Sequence, residues 1–319
     1  MKITERLNVL RELMKEKKID AYLVPTDDFH GSEYVGDYFK CRKYITGFTG
    51  SAGTAVIMQD MAGLWTDGRY FIQAADQLRG STIELFRSGE PGVPTVHQFL
   101  AEKLEKSMCL GFDGRTVSAK EAEELEKLLE EKNITFAVNE DLIGEIWRER
   151  PALSCEPVME LDVKWAGESR KDKITGIREQ MKAKKANIFI LTSLDDIAWL
   201  LNIRGNDIHC CPVVLSYLIM TEKEIKLFAN EKAFQEKVRS EFHVCDPVIA
   251  IDADVRAEGG YEVFSMALTE KVIFMLMQVP NGIQTMSADL PGLVESSLNL
   301  GVLETTDCLL YTSPSPRDM

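Results

Sequence analysis

Apolar residues recur at helical spacing from the start of the chain. Leu7, Leu10, Leu13 and Met14 make a stripe within residues 4–18, with charged residues between them; this is the pattern of a helix with one buried face. The unbroken apolar run Ala21-Tyr22-Leu23-Val24 then predicts a short buried strand. Residues 54–58 and 63–66 predict two further strands about a Gln59-Asp60 turn, and residues 70–79 and 95–106 predict helices. Ser118-Ala119-Lys120-Glu121 is a capping-box pattern that opens an exposed amphipathic helix running to Lys132. A strand follows at 134–138. Helix and strand signals alternate, which predicts an α/β fold with mixed sheets flanked by helices. Pro151 and Pro157 end the helix around Trp147 and favour an extended connector. The domain boundary is therefore placed after residue 157, with a new helix near Lys171.

That new helix repeats an earlier one. Arg11-Glu12-Leu13-Met14-Lys15-Glu16-Lys17-Lys18 matches Arg178-Glu179-Gln180-Met181-Lys182-Ala183-Lys184-Lys185, and each runs into an apolar strand, Ala21-Tyr22-Leu23-Val24 or Ile188-Phe189-Ile190-Leu191. Both strands then reach an acid pair, Asp27-Asp28 and Asp195-Asp196. The same helix, strand and acidic turn in the same order predict tandem duplication of one α/β domain.

Composition narrows the function. A length of 319 residues suits two domains, and 45% hydrophobic content is ample for real cores. The net charge of −14 is shared by both halves, so phosphate backbones and anionic lipid surfaces are poor partners. No apolar run of signal-peptide length opens the sequence, and nowhere are there 18 consecutive apolar residues; neither a leader nor a membrane span is expected. The seven cysteines include the adjacent Cys210-Cys211 but no C-x-x-C pair. They read as free thiols of a cytoplasmic protein.

Candidate chemistry is sparse. The four histidines, His30, His97, His209 and His243, include no i, i+4 pair and no H-E-x-x-H motif, so no metal site is expected within the chain. The glycine-rich Gly47-Phe48-Thr49-Gly50-Ser51-Ala52-Gly53 lacks the first glycine of a nucleophile elbow, because Thr49 stands there, and it precedes a strand rather than a helix. It reads as a tight turn, not as a platform for Ser51. Trp65-Thr66-Asp67-Gly68-Arg69-Tyr70-Phe71 is more suggestive: a strand ends, Asp67-Gly68 turns the chain, and a helix begins. Arg69 projects near the end of an element. There it can grip a carboxylate or carbonyl brought by another domain, or pair with a local acid; the residues leave both readings open. Glu33, in the polar loop Ser32-Glu33-Tyr34, reads by itself as an ordinary exposed acid.

Together these segments resemble a known family. Ser32-Glu33-Tyr34, the run from Cys41-Arg42-Lys43 through Gly47 to Ala55, and Trp65 to Phe71 look like the first domain of the cytosolic, three-domain Xaa-Pro aminopeptidases (aminopeptidase P). Gly167 to Lys173, Leu194 to Gly205 and Pro212 to Tyr217 resemble that family's second domain. The likeness is followed over residues 5–230. It implies two creatinase N-terminal-like domains, at 1–157 and 158–307, that precede a pita-bread catalytic domain absent from this chain. It further implies metal-dependent hydrolysis that releases the N-terminal residue before a proline. The dinuclear metal, usually manganese, would lie in the missing domain, with no cofactor bound by this chain. The two domains would shape and gate the active site, and this chain would be inactive by itself. By resemblance, Arg69 and Glu33 bind substrate, Glu33 supporting catalysis. A peptide with proline at its second position, a homodimer and a cytoplasmic location are expected, with neither nucleic acid nor membrane as a partner. A non-enzymatic two-domain interaction or dimerisation module is the alternative; another creatinase-fold activity such as prolidase fits less well, because such dipeptidases typically carry one N-terminal domain.

Residues 308–319 stand apart. Cys308-Leu309-Leu310-Tyr311-Thr312-Ser313-Pro314-Ser315-Pro316-Arg317-Asp318 looks like one reading frame of a transposase library adapter. The segment is expected to be an adapter-derived artefact tail.

Overall fold

In the computed structural model the described strands sort into two six-stranded sheets and two two-stranded pairs. The structure describes residues 1–234 and, beyond them, the strands at 243–245, 282–286, 294–298, 302–306 and 309–313. The chain divides into two units between Leu153 and Ser154. The proline-rich connector therefore falls largely in the second unit: Val158 N–H donates to Ala233 O (2.8 Å), and Asn230 Nδ2 donates to Ser154 O (2.9 Å).

The first unit runs α1 (Ile3–Glu16), β1 (Ala21–Val24), α2 (Cys41–Thr46), β2 (Thr54–Met58), β3 (Ala62–Thr66), α3 (Phe71–Gln77), β4 (Ile83–Arg87), α4 (Val96–Lys103), β5 (Cys109–Phe112), α5 (Ala119–Leu129), β6 (Thr135–Ala137) and α6 (Leu142–Ile146). Its sheet has the order β4-β3-β2-β1-β5-β6. Strand β2 runs antiparallel to β1 and β3; the other neighbouring pairs are parallel. Alternate residues of β1 and β2 serve opposite faces, as the pleat requires. Tyr22, Val24, Ala55 and Ile57 join Leu7, Leu10 and Met14 of α1 on one side. Ala21, Leu23, Val56 and Met58 join Leu100, Leu125 and Leu129 on the other. A strand covered on both faces must be apolar throughout, which is why Ala21–Val24 reads as an unbroken run.

The pattern of apolar residues does not mark α2, β4 or β5. Each is four to six residues long, and β5 carries Gly111, whose place a side chain would put 2.9 Å from Ile19. Close packing against α1's turn, rather than any strand-forming tendency, selects glycine there.

The second unit contains β7 (Met159–Glu160), α7 (Val163–Ala166), α8 (Arg170–Ala183), β8 (Ile188–Leu191), α9 (Leu194–Leu201), β9 (Ile203–Arg204), β10 (Ser216–Thr221), β11 (Ile225–Ala229), β12 (His243–Cys245), β13 (Gly282–Met286), β14 (Val294–Leu298), β15 (Val302–Thr306) and β16 (Leu309–Ser313). Its main sheet has the order β12-β11-β10-β8-β15-β16. From β8 to β12 this repeats the first sheet from β1 to β4 in order and in sense: two antiparallel neighbours, then a parallel one. The sheets part at the next position, where β15 lies antiparallel to β8 although β5 lies parallel to β1. The duplicated α-helix and strand thus occupy matching places, but the acid pairs do not. Asp27-Asp28 sits in the loop after β1, whereas Asp195-Asp196 opens α9, where Ser193 accepts from the Asp196 N–H and acids complement the helix dipole.

Strand β16 falls within the segment expected to be an adapter-derived tail, and Leu309-Leu310-Tyr311-Thr312-Ser313 has the composition of a strand. The rest of 235–307, assigned to the second domain, lies outside the described residues between the strands already named. His243 is placed in β12, and nothing further is described of it. Among the described residues no helix is long and apolar enough to cross a membrane.

Candidate functional site

Strands β1, β3, β4, β5 and β6 of the first sheet all point one way, and β2 points the other. The loops that follow β1, β3 and β5 therefore gather at one edge together with the loop that precedes β2. The carboxyl edge of an open α/β sheet is where such folds bind ligands. Glu33 arrives there after β1, Arg69 after β3, and the glycine-rich loop before β2.

Arg69 is held by its own turn. Asp67 Oδ1 accepts from the Arg69 backbone N–H (3.0 Å) and Nε (2.9 Å), and Asp67 Oδ2 accepts from Nη2 (2.8 Å). These bonds raise the guanidinium's pKa, with smaller attractions from Tyr70 and Glu33; the same bonds hold the Asp67 carboxyl below its ordinary range. The structure thus brings Glu33 and Arg69 into electrostatic reach of one another. It pairs Arg69 with a local acid while leaving its side chain 65% exposed. A two-point clamp fixes the direction of the fork, and the exposed face stays open to a carboxylate or carbonyl. Beside the clamp lies a cavity of about 300 Å³, lined in part by Gly53, Trp65, Asp67, Ser88, Pro94 and Thr95.

The glycine-rich loop is organised from within. Gly47 caps α2 at φ +77°, a left-handed conformation that glycine adopts without strain. Arg42, at 3% exposure, lies beneath the loop. It donates from Nε to Thr26 Oγ1 (2.8 Å), from Nη1 to Phe48 O (2.7 Å) and from Nη2 to Gly50 O. Thr26 in turn donates from Oγ1 to Gly53 O (2.7 Å). Burial lowers the Arg42 guanidinium to about 10, against a weaker raising by Tyr70. Thr49 is fixed by Gln73 and Gln77 of α3. Ser51 shares a hydrogen bond of 2.7 Å with the Tyr70 hydroxyl; its role is to close the loop onto the start of α3.

Two features went unread in the sequence. Arg42, beside Lys43, carries no signal in the sequence that sets it apart from a surface base. The other feature had a visible signal: Asp-Gly-Arg occurs twice, at Asp67-Gly68-Arg69 and Asp113-Gly114-Arg115. The second copy follows β5 and makes the same clamp, with 3.1, 2.9 and 2.8 Å bonds from N, Nε and Nη2. It differs in being locked: Arg115 Nη2 also reaches Asp141 Oδ2 (3.0 Å), which Arg150 holds at 2.5 Å, and Arg115 covers the Phe29 ring at 4.9 Å. Among the described residues no group of three or more His, Cys, Asp or Glu side chains converges to hold a metal ion.

Residues 6–144 match the creatinase/prolidase N-terminal domain family, and residues 149–274 match a second pattern of the same description. The chain belongs to that family and carries its domain twice. Among its relatives are Xaa-Pro aminopeptidases. It is 43% identical over 238 residues to a probable Xaa-Pro aminopeptidase P of Laccaria bicolor, covering 74% of this chain and 37% of that one. It is 39% identical over 242 residues to aminopeptidase P2 of Arabidopsis thaliana, covering 74% and 34%. Among solved structures it is similar to the X-prolyl aminopeptidase of Caenorhabditis elegans, described as a cytosolic enzyme with a di-nuclear active site. There the TM-score is 0.72 at 34% identity, covering 79% of this chain and 43% of that one. The chain spans less than two-fifths of the length of these curated relatives.

Proposed function

We propose that this chain is the N-terminal two-domain part of an Xaa-Pro aminopeptidase, acting on peptides with proline at the second position. The observation that supports this best is the Asp67–Arg69 clamp. It presents a directed, exposed guanidinium at the carboxyl edge of the first sheet, with Glu33 in electrostatic reach. In this reading Arg69 donates to a carbonyl or carboxylate of the bound peptide, and Glu33 steadies the guanidinium or the substrate amine. The hydrolytic centre, a dinuclear metal site with manganese as the expected ion, belongs to a catalytic domain beyond this chain. The two domains shape and gate access to it. The working enzyme is a cytoplasmic homodimer in this reading, and the chain by itself is inactive.

The test joins the chain to its catalytic domain and measures hydrolysis of an Xaa-Pro peptide. Arg69→Ala is expected to lower kcat/KM by about a hundredfold, the scale of a lost positioning contact. An unchanged kcat/KM, or hydrolysis by the unextended chain, would overturn the reading.

A further inference from the structure

A buried guanidinium is expensive to desolvate, and among the described residues Arg42 has no carboxylate as a hydrogen-bond partner; its donors go to Thr26 Oγ1 and to the carbonyls of Phe48 and Gly50. A loop that needed only stability could close over an apolar side chain of similar volume. Arg42 does more than fill space, because its contacts continue toward Arg69. Its guanidinium lies over the Phe48 ring at 4.7 Å, and the Phe48 ring meets Tyr70 edge-on at 5.8 Å and 77°. Arg69 in turn lies over the Tyr70 ring at 5.2 Å. The two cations are thus joined through two aromatic rings, each contact of a kind that carries orientation as well as attraction. The rings meet over Gly50, where a Cβ would stand 2.3 Å from Phe48 and 2.8 Å from Tyr70. The Gly50 carbonyl is held by Arg42, and the next residue, Ser51, holds the Tyr70 hydroxyl.

We propose that Arg42 is a positioning residue: by fixing Phe48, Gly50 and Ser51 it sets the pose of Tyr70, and through the Tyr70 ring the pose of the exposed Arg69 fork. The importance of that pose for peptide hydrolysis rests on the aminopeptidase reading; the coupling of Arg42 to Arg69 does not.

The chain carries its own control, because Arg115 makes the same clamp with Asp113. The side-chain Nε–H resonances of Arg69 and Arg115 are recorded in the 15N-labelled full chain, and their exchange with water is measured. Arg42→Lys keeps the charge but loses the fork; Phe48→Leu removes the ring while keeping its carbonyl. Each is expected to shift the Arg69 resonance and speed its exchange by about tenfold, leaving Arg115 unchanged. An Arg69 signal unmoved in both variants would overturn the proposal, as would Arg69 and Arg115 responding alike, which is general loosening. If Arg42→Lys does not fold, the Phe48→Leu result decides. The two readings fail separately. A shifted Arg69 signal together with an active Arg69→Ala enzyme leaves the positioning and removes the aminopeptidase role. An unmoved signal together with an inactive Arg69→Ala enzyme does the reverse.

Discussion

Charged groups near the carboxyl edge of the first sheet are handled in three physical ways. Arg69 keeps its solvent and one acid, Arg42 gives up solvent for backbone dipoles, and Asp27 gives up its charge. Burial pushes the Asp27 carboxyl up to about 8, helped by the nearby charges of Asp28 and Glu121 and opposed by the Asp28 N–H that it accepts at 2.8 Å. From its ordinary value of 3.8 up to about 8, the native state holds a proton that the unfolded chain lacks. That contribution to stability is complete below the lower value and is lost as pH rises through the upper one. Thermal melts between pH 5 and 8 are therefore expected to show stability falling with pH, and Asp27→Asn is expected to flatten the trend. An equal slope in the variant would remove Asp27 as its source. None of this was legible in the sequence, where Asp27 looks like a loop acid and Arg42 like a surface base. Their environments are made by residues that the fold brings near, Glu121 for one and the 47–53 loop for the other. Arg69 was legible because a strand end, a turn and a helix start surround it locally.

Among the elements, those whose burial follows their own periodicity were legible: α1 with its Leu7, Leu10 and Met14 face, β1 covered on both sides, and α5 behind its Ser118 cap. Those defined by what they pack against were not. Helix α2 has only six residues, too few for a stripe. It is ended by Gly47, whose N–H donates to Lys43 O (2.8 Å) in the left-handed cap. Gly47→Ala would force a Cβ into that conformation and to 3.2 Å from Ile3. It is expected to cost about 1–2 kcal/mol of unfolding free energy by chemical denaturation, the range for alanine at a positive-φ site. A loss under a few tenths would show that α2 is not held by this cap.

For the whole molecule, the duplication was readable as one helix and one strand repeated, and the structure extends it to four strands of sheet order. The fifth strand departs in sense, and the acid pairs that seemed to mark the repeat stand in unlike settings. The division into units also carries an expectation. Both core clusters of the first unit close within residues 1–153, so that segment expressed by itself is expected to fold with a single cooperative melt by circular dichroism; a broad, non-cooperative melt would refute its independence. The sheet order has one further consequence, for the timing of assembly. Strands β1 to β4 pair in succession along the chain, whereas β5 must return across the sheet to seat Leu110 beside Ala21. Short-range pairings form early and long loops close late. A ribosome that has just released Arg87 has already delivered every strand on which the Asp67–Arg69 clamp is mounted, while the Asp113–Arg115 clamp follows a strand that has yet to be made.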